Sequence, residues 1–253
     1  MPGKRIASLP MYDLPELTGP TDRLWQRIRD GLHARALPAP EALSRDIADP
    51  RAHWLYPGLV LSQTCSLPYR SLLHDRVTLV GTPDYGLPDC PPGYYRSALV
   101  ARAGDPRTAL ADFDGATLAY NEAGSQSGWA APQAAAQAAG IRLLAGPATG
   151  AHRRSIAVVA KGGADLAAID AVTWALLADR EPACAALKVV GYSQPTPGLP
   201  LITARRHDPA PIFQAIAAAI AGLDAGDRAA LRLTRIVQIP PETYMSLAIP
   251  PNP

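Results

Sequence analysis

The chain contains 253 residues, 48% of them hydrophobic, and carries a formal net charge of +2 at pH 7. This length is sufficient for two lobes of ordinary domain size, each with its own core. The small net charge and the lack of a lysine-rich run argue against a nucleic-acid partner, and no apolar stretch approaches the roughly 20 residues that membrane insertion requires. We therefore expect a soluble globular protein.

Segments with the patterns of strands and helices alternate from the N-terminus onward. In the first part of the chain we expect strands at Ile6–Met11, Leu59–Ser62 and Val77–Gly81 and a helix from Asp22 to Ala36. The prolines, 27 in all, fall in turns between such segments rather than in a polyproline tract. The alternation favours an α/β fold with mainly parallel sheets.

A strand, a turn and a helix start follow one another in the middle of the chain. Thr117–Asn121 is expected to be a strand, Glu122–Gly124 a turn, and Ser125–Gly128 the entry to an alanine-rich helix. A serine beside a glycine can indicate a hydrolase nucleophile, but the Gly-x-Ser-x-Gly motif fails because the residue two after Gly124 is Gln126. The two serines therefore stand at a helix start without the spacing of a nucleophile.

The same local pattern recurs after residue 150. His152 and Ser155 open an apolar helix, Asp165–Ile169 is expected to be a short buried strand, and Asp170 stands where the next helix begins. Helix N-termini present unpaired backbone N–H groups and a partial positive charge. A site formed by two such helix starts favours an anion even without a lysine or arginine side chain.

The remaining segments continue the alternation of strands and helices. We expect strands at Leu143–Leu144, Leu187–Tyr192 and Leu199–Ala204, and helices over Trp129–Ala139, Ala210–Leu223 and Asp227–Leu233. The proline pairs Pro240-Pro241 and Pro250-Pro251 favour an extended C-terminal tail. We find no metal-ligand spacing, no Gly-x-Gly-x-x-Gly loop and no Walker loop, so no metal or cofactor is expected.

Three short motifs together resemble a known family. Ser125-x-Ser127-Gly is followed by Gly150-x-His152 and then by Gly162-x-x-Asp165-hydrophobic-Ala-Ala-hydrophobic-Asp170. This succession is similar to the phosphate/phosphite/phosphonate-type solute-binding proteins of ABC transporters, which have the type 2 periplasmic binding protein fold. The likeness extends over essentially the whole chain, through the segments Met11–Asp13, Leu59–Thr64 and Tyr94–Val100.

The resemblance implies two lobes with a ligand cleft between them. Lobe one would comprise residues 1–96 and 187–253, and lobe two residues 97–186. The chain would thus cross twice between the lobes, which permits hinge closure over a ligand. The implied partners are a small anionic solute and an ABC transporter permease, and the implied state is a monomer.

The resemblance also implies a ligand site, without catalytic residues. Ser125, Ser127 and His152 would contact the anionic group, and Asp170 would accept from a protonated oxygen or an amine of the ligand. Further candidates flank strands at the presumed cleft edge, where ligands of open α/β sheets bind. They are Tyr12, Ser62, Thr64, Tyr95, Asn121, Gln126 and Tyr192.

Two simpler interpretations stay open for these residues and for the function. Ser125, Ser127, His152 and Asp170 all stand where helix caps are found, and capping can coexist with ligand contact. The chain can also be a cytoplasmic enzyme or sensor on the same fold, of the chorismate dehydratase-like or pyrimidine-synthesis-like kind. The supporting feature for that alternative is the N-terminus.

Residues Met1–Arg5 run directly into the first strand, with no apolar region of roughly 7–15 residues and no small-residue cleavage site. As written, the chain is expected in the cytoplasm, whereas the family is normally exported. Cys65 and Cys90 could be bridged in an exported protein, with Cys184 left over, or all three could be free thiols.

Overall fold

The computed structural model describes residues 4–253, so the expectation drawn from the first three residues lies outside the described part. The chain divides into two compact units. Unit 1 comprises Met1–Pro88 and Pro197–Leu247, and unit 2 comprises Asp89–Thr196 and Ala248–Pro253.

The first segment of unit 1 contains three strands and a long helix. Its elements are β1 (Ile6–Ser8), α1 (Thr18–His33), α2 (Pro50–Trp54), β2 (Leu59–Gln63), α3 (Ser66–Pro68) and β3 (Val77–Asp84). Helix α1 begins four residues before the predicted Asp22 and buries Leu24, Ile28 and Leu32, one turn apart, on a single face. The apolar spacing in the sequence therefore located the helix face, while its ends shifted by a few residues.

Unit 2 contains the strands and helices of the two repeated sequence patterns. Its elements are β4 (Tyr94–Tyr95), β5 (Ser97–Arg102), β6 (Thr117–Tyr120), α4 (Ala131–Ala138), β7 (Leu144–Ala148), α5 (His152–Ala160), β8 (Leu166–Asp170), α6 (Ala171–Leu177) and β9 (Leu187–Tyr192). A π-helical turn, Gln126–Ala130, precedes α4.

The chain then returns to unit 1. Strand β10 (Thr196–Pro197) stands at the boundary, and the elements of unit 1 after it are β11 (Leu201–Ala204), α7 (Pro209–Ala221), α8 (Ala225–Leu231), β12 (Arg235–Val237) and α9 (Pro241–Met245). The tail expected to be extended from Pro240 therefore contains a short helix. Pro241 occupies its first turn, where a missing N–H has no consequence for helix hydrogen bonding.

Both five-stranded sheets are mixed, so the expectation of mainly parallel sheets was wrong. In unit 1 the order is β1-β2-β11-β3-β12, with β1 parallel to β2, and with β11 and β12 antiparallel to their neighbours. In unit 2 the order is β7-β6-β8-β5-β9, with β6 parallel to β7 and β8, and β5 antiparallel to β8 and β9. Strands joined by crossover helices run parallel, whereas β5 and β11 enter their sheets without such a helix.

The segment Leu187–Tyr192 lies in unit 2, although it was expected in lobe one. It forms β9, whose residues pair with β5 from Ala98↔Tyr192 to Arg102↔Leu187. The chain accordingly returns to unit 1 at Pro197, ten residues later than expected, and its last six residues belong to unit 2. The expected boundaries at residues 96 and 187 thus differ from those of the two units.

The core of unit 2 reaches the turn that carries the serines. Trp129 packs in a cluster with Leu99, Phe113 and Leu118. Its indole Nε1 donates to the carbonyl of Pro251 at 2.8 Å. The C-terminal residues therefore fasten onto the same turn as Ser125 and Ser127.

All three cysteines are free thiols, with Cys65 and Cys184 buried. Among the helices of residues 4–253, none is by itself long and apolar enough to cross a membrane. Helices α7 and α8 meet that test only when taken together, and they are bent against each other by 113°.

Candidate functional site

Strands β6, β7 and β8 of unit 2 are parallel, so their carboxyl ends lie at one edge of the sheet. The segment Ser125–Ala130, called the serine turn below, follows β6. Helix α5 follows β7, and α6 follows β8 directly. Three helical segments therefore begin at this edge, which is where open α/β sheets bind ligands. The two predicted helix starts at Ser125 and His152 are both there.

The serine turn is built around a side-chain cap. Ser125 has an extended backbone, and its Oγ accepts from the backbone N–H of Gly128 at 2.9 Å. Ser127 Oγ lies 3.4 Å from Ser125 Oγ, and both serines are buried. The capping interpretation of Ser125 is thus correct, and the two hydroxyls lie side by side.

His152 is the first residue of α5 and reaches the serine turn. Its Nε2 lies 2.9 Å from Ser127 Oγ. Burial lowers the pKa of His152 to about 4. The imidazole is therefore neutral at pH 7, and it can take part in hydrogen bonds without adding a charge.

Asp170 ends β8 and caps α6. Its Oδ1 accepts from the backbone N–H groups of Val172 at 2.8 Å and Thr173 at 3.0 Å. The residue opposite Asp170 on β5 is Ser97, whose Oγ donates to the carbonyl of Ser127 at 2.9 Å. Ser97 therefore connects Asp170, its partner in the sheet, with the serine turn, to which it donates a hydrogen bond.

Asn121 supports the turn from the end of β6. Its Oδ1 is buried without a hydrogen-bond partner and lies so close to Gly128 that a Cβ there would stand 1.9 Å away. Its carbonyl accepts from Gly150 N at 2.7 Å. Gln126, another predicted site residue, is buried within the same turn. Only glycine at position 128 allows Asn121 Oδ1 to lie this close to the turn.

Two of the predicted residues in unit 1 have their hydroxyls in buried hydrogen bonds. Ser62 Oγ lies 2.7 Å from Ser8 Oγ, which in turn lies 2.9 Å from His53 Nε2. Thr64 Oγ1 donates to the carbonyl of Cys65, and both Ser62 and Thr64 are fully buried. Ser62 is thus buried by partners distant in sequence, and ligand contact by Ser62 and Thr64 stays a prediction.

The three predicted tyrosines differ in environment. Tyr12 is buried, with its ring 4.8 Å from that of Tyr85 in an edge-to-face contact. Tyr95 is also buried, whereas Tyr192 is 46% exposed and lies under the Arg96 guanidinium at 4.0 Å. Neither Tyr85 nor Ser97 was predicted as a site residue, although Ser97 lies in the segment Tyr94–Val100 that carries part of the resemblance.

No group of three His, Cys, Asp or Glu side chains within residues 4–253 could hold a metal ion. The basic residues next to His152 do not supply a cation to the serine turn: Arg153 pairs with Glu181 at 3.6 Å, and Arg154 is exposed and donates to the carbonyl of Thr149. The cluster of Ser125, Ser127 and His152 consists of neutral groups at helix starts. Such a cluster can hold an oxyanion through hydrogen bonds.

Residues 61–244 match the model of the ABC transporter phosphonate periplasmic substrate-binding proteins. The chain belongs to this family. Family members are substrate-binding components of transporters rather than enzymes, which confirms the expectation of a solute-binding protein. No curated protein matches the sequence.

Several solved structures are similar to this chain in fold. PhnD1 from Prochlorococcus marinus in complex with methylphosphonate has a TM-score of 0.68 at 12% identity, over 95% of this chain and 94% of that one. XAC2383 from Xanthomonas citri, bound to chloride ion, has a TM-score of 0.70 at 16% identity, over 96% and 94% of the two chains. A binding protein of an ABC phosphonate transporter (PA3383) from Pseudomonas aeruginosa has a TM-score of 0.64 at 15% identity, over 92% and 80%. The type 2 periplasmic binding protein fold expected from the sequence is therefore confirmed.

Proposed function

We propose that this chain captures a phosphonate through the cluster of Ser125, Ser127 and His152 and delivers it to an ABC transporter permease. The observation that carries the proposal is the 2.9 Å approach of His152 Nε2 to Ser127 Oγ, beside Ser125 and at the starts of two helical segments. Hydroxyl, imidazole and helix-start N–H groups together supply the donors that an oxyanion needs.

The neutral imidazole supports a hydrogen-bonded site rather than an ion-paired one. Burial keeps the pKa of His152 at about 4, so that the cluster adds no positive charge at pH 7. Affinity then depends on how many donors converge on the ligand oxygens. This predicts a preference for tetrahedral oxyanions, whose three or four oxygens can meet several donors, over spherical halides.

The remaining predicted contacts are part of the proposal. Asp170 would accept from a protonated ligand oxygen or an amine, while its Oδ1 continues to cap α6. The other proposed contacts are Tyr12, Tyr95, Asn121, Gln126 and Tyr192. Ser62 and Thr64 complete the proposed set, and their hydroxyls take part in buried hydrogen bonds, as those of Ser125 and Ser127 do.

The test is a calorimetric titration of the purified chain with methylphosphonate, phosphite, phosphate, sulfate and chloride. We expect saturable binding of one methylphosphonate per chain and a loss of about tenfold or more in Ser127→Ala, since a hydrogen bond to a charged group contributes roughly 1.5–3 kcal/mol. The matched control is Ser246→Ala, which removes an exposed hydroxyl that donates only to Thr243 O. It should bind like the unmodified chain.

Two results would contradict the proposal. One is a chain that binds none of the tetrahedral oxyanions, and the other is equal affinity in Ser127→Ala and in the unmodified chain. Phosphorus NMR of the recovered ligand separates the alternatives, because a transporter component returns methylphosphonate unchanged. A ligand altered at a rate abolished in His152→Ala would establish the enzyme alternative instead.

A further inference from the structure

Unit 1 contains a cavity at the edge of its sheet where β1 and β2 begin. Arg5 precedes β1, while Arg206 and His207 follow the end of β11, which is antiparallel to β2. These three residues line a cavity with a volume of about 260 Å³, and all of its described lining residues belong to unit 1. The cavity is therefore at the opposite end of the strands from the edge at which open α/β sheets usually bind their ligands.

The buried wall of the cavity is aliphatic. It contains Leu32 from the last turn of α1, Val60 from β2 and Ile212 from the first turn of α7. Each of these residues is at most 4% exposed, and the half-buried Leu37 also lines the cavity. An aliphatic group placed against this wall is removed from water, which is favourable in proportion to the apolar area covered.

The charges of two arginines at the cavity are not engaged in ion pairs. Within residues 4–253 neither Arg5 nor Arg206 pairs with a carboxylate, whereas Arg45 and Arg235 each pair with an aspartate. Burial, and after it the charges of Arg206 and Arg5, lower the pKa of His207. Both guanidinium groups are therefore close enough to act on the same imidazole.

His207 holds Arg206 at the cavity. The Nε2 atom of His207 accepts from Arg206 Nε at 3.4 Å, and its Nδ1 lies 2.9 Å from Thr203 Oγ1. A neutral imidazole has one donor and one acceptor nitrogen, so Nδ1–H donates to Thr203. This arrangement uses the Nε of Arg206 and leaves its two Nη groups for a ligand.

Asp208 is the one carboxylate among the described lining residues. Its Oδ1 accepts from the backbone N–H of Ala210 at 3.0 Å and so caps α7. Since His207 is neutral at pH 7, two guanidinium groups and one carboxylate leave the cavity with a single net positive charge. A monoanion matches this charge, and a guanidinium group can bind a carboxylate through two parallel hydrogen bonds.

We propose that this cavity is a second binding site, which takes an aliphatic carboxylate. Arg5 and Arg206 bind the carboxylate, and the chain lies against the aliphatic wall. One water molecule occupies roughly 30 Å³ of liquid, so about 260 Å³ accommodates on the order of eight non-hydrogen atoms, as many as hexanoate has. The inference goes beyond the proposed function, because no residue of this cavity belongs to the serine and histidine cluster.

The test is a calorimetric titration of the full chain with hexanoate, acetate and 1-hexanol. Acetate lacks the chain of hexanoate, and 1-hexanol lacks its charge. We expect one hexanoate per chain, with affinity rising by up to about fourfold for each methylene added between acetate and hexanoate. We expect 1-hexanol to bind at least tenfold more weakly. If hexanoate does not bind, or binds no better than acetate or 1-hexanol, the proposal is overturned.

Two arginine variants test the site itself. Arg206→Gln removes one guanidinium charge and should weaken hexanoate binding at least tenfold; Arg206 is exposed, so the core stays intact. The matched control is Arg142→Gln, which removes the charge of an exposed arginine of unit 2 and should leave hexanoate binding unchanged. Equal hexanoate affinities in the two variants would overturn the proposal.

Competition separates this site from the serine and histidine cluster, which could itself accept a carboxylate. Hexanoate should bind equally well to Ser127→Ala and to the unmodified chain saturated with methylphosphonate, and Arg206→Gln should keep its methylphosphonate affinity. Loss of hexanoate binding in Ser127→Ala would place the carboxylate in the cluster and overturn the inference. A chain that binds hexanoate as expected but no tetrahedral oxyanion would refute the proposed function alone.

Discussion

Ser127 Oγ and His152 Nε2 lie 2.9 Å apart although 25 residues separate them in the sequence. The two side chains meet because β6 and β7 are parallel neighbours, and the segments that follow them leave the same edge of the sheet. Ser97 on β5 holds the backbone of Ser127 against the sheet, because its Oγ donates to the Ser127 carbonyl. Hydroxyl and imidazole groups from two helix starts thus form one cluster, to which each segment contributes only a part.

Replacing Ser125 in two ways separates its cap from its proposed ligand contact. Ser125→Ala removes the acceptor of Gly128 N–H and should lower the free energy of unfolding by about 1 kcal/mol. Ser125→Gly should lower it by only a few tenths, because glycine is tolerated at N-caps. Both variants lack the hydroxyl, so both should lose methylphosphonate affinity by about the same factor. Urea unfolding measures the stability and calorimetric titration the affinity. If Ser125→Gly keeps its methylphosphonate affinity and only the less stable Ser125→Ala loses it, Ser125 acts only as a cap.

Gly128 is needed for the approach of Asn121 to the turn. In Gly128→Ala the new Cβ would stand 1.9 Å from Asn121 Oδ1, so the turn must shift. We expect a loss of about 1–3 kcal/mol in the free energy of unfolding and a loss of at least tenfold in methylphosphonate affinity.

The matched control for this substitution is Gly124→Ala, four residues earlier. A Cβ at Gly124 has nothing within 4 Å, and the free energy of unfolding should change by no more than about 0.5 kcal/mol. Equal effects of the two substitutions, in unfolding and in titration, would contradict the packing argument.

His152 should make stability depend on pH below neutrality. Its pKa is about 4 in the folded chain and 6.5 as a free side chain, so the unfolded state binds more protons between these values. The contribution of His152 is therefore complete above pH 6.5 and is lost as the pH falls towards 4. His152→Gln cannot titrate, so from pH 7 to pH 4.5 it should lose less stability than the unmodified chain, by on the order of 1–3 kcal/mol. Parallel curves of unfolding free energy against pH in the two proteins would refute the assigned pKa.

The sequence located the parts of the site whose signals are local. Strand β6 was predicted at Thr117 and ends one residue before the predicted Asn121, and the starts of α5 at His152 and α6 after Asp170 were placed correctly. Capping residues and apolar spacing lie within a few positions of the elements they define, which is why they can be found in a single sequence. The rule that parallel strands end at one edge then brings Ser127 and His152 together.

The parts that could not be predicted depend on contacts between distant residues. Ser62 carries the same hydroxyl as the site serines, yet its environment is decided by Ser8, 54 positions away. The assignment of β9 to unit 2 depends on its pairing with β5, and the local pattern of Leu187–Tyr192 fits either sheet. Ser97 belongs to the segment Tyr94–Val100 of the resemblance, but its contact with the serine turn depends on the register of β5 against β8, which the sequence does not show.

Asp170→Asn should separate the charge of Asp170 from its cap. The amide oxygen of asparagine can still accept from Val172 N and Thr173 N, so the free energy of unfolding should fall by well under the roughly 1 kcal/mol expected for Asp170→Ala.

The negative charge is lost in both variants. A carboxylate close to an anion is repulsive unless a proton is shared, so the unmodified chain should prefer the monoanion of a phosphonate, and this preference should weaken in Asp170→Asn. Titrations with methylphosphonate from pH 6 to pH 9 measure the preference as the decline of affinity with rising pH. If Asp170→Asn and the unmodified chain show the same decline, Asp170 is a helix cap without a part in ligand selection.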